Sequence, residues 1–206
     1  MIIENMGSCL ACLKAQKTSK NDVELSNTVN AIHTTCKLGL KSDNIKATYD
    51  KDTNSYTLEG KGTALGSCSL DCDTAFWEVR VGKNPQGLRI GVKRVNMKKP
   101  PPLDGTLDGT GEGDSPSWCL SDVTLKEGDS IGVCWDQTDL PMLSFCHNGE
   151  LLMQGSINRI RPANDICPAV SLEGDSTCQL FFDGKYFSKP PPSSKFSMIV
   201  CATSLI

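Results

Sequence analysis

The chain has 206 residues, 38% of them hydrophobic and 22% charged, with a net charge of −3 and a pI near 5.4. That length suits one domain of ordinary size with tails, and the residue balance suits a packed core over a disordered chain. The acidic balance gives no general attraction for phosphate backbones, which argues against nucleic acid as a partner.

Eleven cysteines would imply a disulfide framework in an exported chain. The apolar run at 6–13 is about half a membrane span long, and acidic Glu4 stands where a signal peptide carries basic residues. The expectation is a cytosolic chain with reduced cysteines, in which Cys134, Cys146 and Cys178 act as small core-filling hydrophobes.

Three zones follow in chain order: a tail with Cys and Lys over 1–27, a strand-and-turn region over 28–187, and a Pro-led segment over 188–206 that packs on or extends the domain. Residues 45–49 and 56–58 read as strands joined by the polar turn 50–54. Trp77, Val79 and Val81 alternate with Glu78 and Arg80, which predicts a half-buried strand. Residues 98–117 form a loop too long for a mere connection, with Pro100-Pro101-Pro102 followed by an acidic, Gly-rich run at 104–114. Ile131, Val133 and Trp135 repeat the alternation, and Asn148-Gly149 between 143–145 and 151–153 demands a tight hairpin. Two further strands fall at 166–170 and 178–182. Many short strands with frequent turns predict an all-β antiparallel sandwich or barrel with little helix.

In order along the chain, Phe76-Trp77-Glu78-Val79, Ile90-Gly91-Val92, Ser117-Trp118, Gly128-Asp129 entering 130–136, Leu143-Ser144-Phe145 before Asn148-Gly149, and 168–172 resemble the motifs of SPRY domains. The resemblance covers most of 30–185 and rests on order and spacing. It extends to small stand-alone members with a Cys-rich N-terminus and a late triple proline, places held here by Cys9, Cys12 and Pro190-Pro191-Pro192. It implies a bent, concanavalin-like β-sandwich that recognises a peptide or loop of another protein; a monomer without cofactor is expected. The binding surface it implies comprises Gly60, Lys61, Gly62, Thr63 and Ala64 in a loop at 60–66, Trp118 at the end of the long loop, and Leu172, Glu173 and Gly174. For Trp118 a core role stands open beside the binding role.

Other patterns carry competing chemistry. Gly128-x-Ser130-x-Gly132 fits a hydrolase nucleophile elbow, but the elbow needs a helix after the serine, and alternation here predicts a strand. Cys146 and His147 are neighbours, so a strand would point them to opposite faces. Cys9, Cys12, Cys68 and Cys72 offer four thiolates with spacing unlike a zinc site, and the acidic run lacks the ligand order of a calcium loop, so no metal is expected and 104–114 reads as a solvated, flexible loop. A start at Met6 would expose Gly7 to myristoylation, with Cys9 and Cys12 as palmitoylation candidates, and would bring the tail to a membrane surface.

Overall fold

The computed structural model describes residues 32–96, 98–153, 155–158, 160–161 and 165–203. In chain order the strands are β1 (Ile32–Thr35), β2 (Leu38–Lys41), β3 (Ile45–Asp50), β4 (Ser55–Gly60), β5 (Gly62–Gly66), β6 (Thr74–Val81), β7 (Leu88–Arg94) and β8 (Ser117–Cys119). They continue with β9 (Ser130–Asp136), β10 (Met142–His147), β11 (Glu150–Leu151), β12 (Ile157–Asn158), β13 (Ile166–Leu172), β14 (Thr177–Phe181) and β15 (Val200–Thr203). Helix among the described residues is limited to single turns at Pro85–Gly87 and Gly184–Tyr186.

The larger sheet runs β11-β10-β9-β6-β14-β4-β3, with β12 also on β10; the smaller runs β2-β5-β13-β7-β8; β1 and β15 pair with each other. The strand pairs in both sheets are antiparallel, as the all-β reading expects. Between the sheets lies one core, in which Leu58, Trp77, Val79, Ile131 and Trp135 of the larger meet Ala64, Ile90, Val92, Val170 and Leu172 of the smaller. Turn chemistry places the reversals. Asn54 at φ 47 closes the β3-β4 turn, and Asn148 and Gly149 at φ 53 and 92 make the β10-β11 hairpin that the Asn-Gly pair demands.

The strands predicted as half-buried are covered more fully than that. Every residue of β9 is buried, as is β6 over 75–79; the apolar run read as a strand at 166–170 is buried throughout β13 as well. The outer face of the larger sheet, which alternation assigns to water, is roofed by the chain at 187–198, called the strap below. Phe187 and Phe196 pack there on Phe76, Cys134 and Cys146, with the Phe76 and Phe187 rings edge to face at 5.1 Å. The Phe76 N–H donates to the Ser197 carbonyl at 2.8 Å, and Thr74 Oγ1 donates to the Lys195 carbonyl at 2.7 Å.

A buried carboxylate ties the strap down. Glu78 is 1% exposed and accepts from Arg80 Nε at 2.8 Å, Ser188 N at 2.7 Å and Ser188 Oγ at 2.9 Å. Gly132, beside it on the same face, makes room for the Phe76 ring: a Cβ there would stand 2.6 Å from Phe76 Cζ. Lys195 pairs with Asp136 further along.

Among the described cysteines, Cys36, Cys72, Cys119, Cys134, Cys146, Cys167 and Cys178 are free thiols, and all but Cys72 are buried. Cys68 is disulfide-bonded, so the reduced state expected of the whole set does not hold there. A sequence does not show which cysteines the fold brings within bonding distance.

Glu78→Ala would leave the Ser188 and Arg80 donors without their acceptor, at an expected cost of about 3 kcal/mol; Ser188→Ala should cost about 1 kcal/mol. Urea midpoints measure both, and a loss for Glu78→Ala no larger than for Ser188→Ala would remove Glu78 as the anchor. Burial pushes the Asp136 carboxyl up, but hydrogen bonds from Lys195 and Thr138 and the Lys195 charge outweigh it and hold the group below its ordinary value of 3.8. A carboxylate held low contributes stability above its unfolded-state pKa that is lost as pH falls through the folded value. Stability should therefore drop below about pH 4, and Asp136→Asn should flatten that acid limb in denaturation curves taken across pH.

Candidate functional site

At one end of the sandwich the connections 60–62, 82–87, 120–128 and 172–176 gather. The first is a corner between the sheets, since β4 ends at Gly60 in the larger and β5 begins at Gly62 in the smaller. Both glycines take positive φ, +116° and +118°. A Cβ on Gly60 would fall 2.1 Å from the Asn44 carbonyl oxygen, and one on Gly62 would fall 2.6 Å from Ser42 Cβ. No other residue fits either place.

The predicted loop at 60–66 is therefore this corner followed by a core strand. Gly62, Thr63 and Ala64 are buried, with Thr63 donating through N to the Leu103 carbonyl at 2.6 Å and through Oγ1 to the Gly105 carbonyl at 2.7 Å. Small residues and repeated glycine read as a loop in sequence; here they let neighbouring backbone pass close. Lys61 alone of the set is exposed, with Gly60 half-buried.

The turn after β13 is built alike. Leu172 is buried and opposes Gly62 and Leu88, whereas Glu173 and Gly174 are exposed, Gly174 at φ +63°. Ser176 Oγ, 2.6 Å from the Glu173 carbonyl oxygen and 2.9 Å from that of Asn84, locks this turn to the one at 84–87. Gly60, Gly174 and Asp175 share a shallow depression with Lys46, Glu59 and Lys83, in which Lys46 and Glu59 form an ion pair.

A groove of about 240 Å³ opens on the other side of the 84–87 turn, between the first half of β7 and residues 120–125. Leu88, Ile90, Leu120, Val123 and Leu125 supply its apolar lining, and Arg89 and Asp122 its charges. The Leu120 N–H donates to the Ile90 carbonyl at 2.9 Å, after which the two chains part, with Asp122 turning away at φ +58°. Sequence reading missed this groove because the spacing of Leu120, Val123 and Leu125 matches neither a strand nor a helix. The signal that existed was the stretch of apolar residues without a period between Trp118 and the Gly128-Asp129 turn.

Trp118 does not join this cluster. It lies on β8 opposite Val92, further along β7 than Leu88, where Leu172 pairs. It is half-buried, with the Arg94 guanidinium 5.6 Å from its ring centre and Gly111 close enough that a Cβ would stand 2.4 Å from Nε1. The long loop beside it is stitched down where a flexible one was expected. Asp108 accepts from Ser117 Oγ at 2.6 Å, Asp104 from Ser42 Oγ at 2.7 Å, and the buried Leu107 donates through N to Ser171 Oγ at 3.0 Å. The Ser117 hydrogen bond is the main cause holding the Asp108 carboxyl below its ordinary value. Asp108 also accepts from the N–H and hydroxyl of Thr110, and no group of three or more potential metal ligands occurs among the described residues.

Ser130 is buried at the first position of β9, with its Oγ 2.9 Å from Ser188 Oγ. A strand follows it, where an elbow requires a helix. His147 Nε2 lies 2.9 Å from Asp129 Oδ2, and Asp129 accepts from Lys126 N and Asn148 Nδ2. Asn148 Oδ1 in turn accepts from Ser130 N at 2.9 Å, so the Gly-Asp turn and the Asn-Gly hairpin brace each other. Cys146 meets Cys134 on the opposite face of the sheet from its neighbour His147, as strand geometry requires. Gly7, Cys9 and Cys12 lie outside the described residues.

No family model matches the sequence, and no curated protein matches it. Among solved structures the chain is similar to the PSpry domain of TRIM65, at 13% identity over 73% of this chain and 93% of that one, with a TM-score of 0.51. The chain has a SPRY-like fold. It is also similar to a human SPRY domain (20% identity, 66% of this chain, 96% of that one, TM-score 0.46) and to the neuralized NHR1 domain of Drosophila melanogaster (11%, 73%, 99%, 0.47). None of these three picks out the small stand-alone members.

Gly60→Ala and Gly62→Ala each combine a disfavoured φ with a backbone or side-chain clash, and each should cost about 3 kcal/mol. Thermal unfolding of both variants checks this; an unchanged midpoint would mean the corner is not closed as described.

Proposed function

We propose that this chain is a cytosolic, monomeric protein-interaction module that seats a short peptide or loop of a partner at the end of the sandwich carrying the groove. SPRY domains are in general protein-interaction modules, which supports the class of function. The observation that carries the reading is the parting of β7 from residues 120–125, which leaves an apolar groove on a platform locked by hydrogen bonds. Such a site is formed before its ligand arrives, so little ordering cost opposes binding. In this reading Leu120, Val123 and Leu125 contact the partner's apolar side chains, and Arg89 and Asp122 fix its polar groups. Lys61, Glu173 and Gly174 on the neighbouring turns set which partner is accepted. No cofactor takes part.

Affinity purification from cells tests this. Val123→Asp in the groove and Glu173→Lys on the adjoining turn should each lose the captured partner by at least about tenfold, with thermal stability within about 1 kcal/mol of the unaltered chain. Retention of the same partners by both stable variants would place recognition elsewhere on the molecule.

A further inference from the structure

Cys134 and Cys146 stand apart from the other free thiols. Cys134 on β9 opposes Ser144, and Cys146 on β10 opposes Gly132, so the two cysteines are diagonal neighbours across adjacent antiparallel strands. Their sulfurs are 4.0 Å apart, at 0% and 2% residue exposure, in a cluster with Phe76 that Phe187 and Phe196 of the strap cover. Gly132 and the Phe76 ring frame the pair, since a Cβ on Gly132 would meet Phe76 at 2.6 Å and Cys146 Cβ at 3.4 Å. Cys178, by contrast, sits between the sheets with its thiol pushed up to about 12 by burial.

We propose that Cys134 and Cys146 are a reversible oxidation site, a dithiol that a peroxide converts to a disulfide and that the strap shields. The hydrogen bond between the thiols orders their reactivity. It pushes Cys134 up, with burial adding to the effect, and pulls Cys146 down against the opposing effect of burial. Cys146 is the attacking sulfur. It displaces one oxygen of hydrogen peroxide, the O–O bond breaks, and Cys146 sulfenic acid and water result. Cys134 then attacks that sulfur, its proton leaves with the departing hydroxide as a second water, and the S–S bond forms. Two thiols have lost two electrons and two protons, and one peroxide has become two waters.

A disulfide requires the sulfurs to close from 4.0 Å to about 2.05 Å. Diagonal strand neighbours lie beyond the span a disulfide ordinarily bridges, so the bond forms only with a shift of the β9 and β10 backbones and is strained and readily reduced by thiols. Its formation draws both sulfurs out of their packing under Phe187 and Phe196 and loosens the strap. Oxidation thus changes the surface of the larger sheet without touching the groove beside β7.

The test treats the full chain and a Phe196→Ala variant with hydrogen peroxide and maps the peptides without reduction. The expected result is a linked Cys134–Cys146 peptide that dithiothreitol removes, that is absent from Cys134→Ser, and that forms severalfold faster in Phe196→Ala. Ser188→Ala serves as the loosened strap should Phe196→Ala fail to fold. No linked peptide in either the full chain or the loosened variant overturns the site, and equal rates in the two overturn the shielding.

Discussion

A carboxylate buried in the middle of a sheet must find donors, and Glu78 on β6 finds too few on its own strand. Arg80 supplies one; the rest come from Ser188 and the Lys189 N–H, far along the chain. Leaving such a group unpaired costs several kcal/mol, so the chain after β14 is obliged to return across the outer face of the larger sheet. Once it does, Phe187 and Phe196 have a surface to cover, Lys195 meets Asp136, and β9 is buried along both faces. The sandwich is in effect three layers deep along its centre.

That arrangement leaves the ends of the sandwich as the places where recognition can be built. One end is closed by the two-glycine corner, by the Ser176 lock between two turns, and by the mutual bracing of the Gly-Asp turn and the Asn-Gly hairpin. Rigid connections around an open groove are what a binding surface needs if affinity is not to be lost to ordering. The long loop at 98–117 is held in a similar way, Asp108 by Ser117 and Asp104 by Ser42.

Much of the fold was legible because its signals are local. Alternation located β6 and β9, and Asn148-Gly149 dictated the hairpin, since φ preference belongs to the residue itself. What alternation misreads is coverage: Gly132 and Cys134 carry the parity of a solvent face, and only the distant strap makes that face a core. The end of the sandwich was harder still. Motif order pointed to 60–64 and 172–174 as loops, yet Thr63 and Ala64 lie in a buried strand, because a small residue reads the same whether it lies in a turn or under another strand. The groove depends on two chains that fail to pair, and a missing hydrogen bond leaves no mark in a sequence.

The corner at 60–62 separates two kinds of position on three consecutive residues. Gly60 and Gly62 are dictated by the path of the backbone, which tolerates nothing else. Lys61 between them is held through its main chain, its N–H donating to the Asn44 carbonyl at 3.2 Å, and it is exposed. The fold holds its Cα fixed and is indifferent to what the residue carries. A position of that kind lets side-chain identity drift while the scaffold beneath it stays constant, so freedom of side chain and constraint of backbone coexist within three residues.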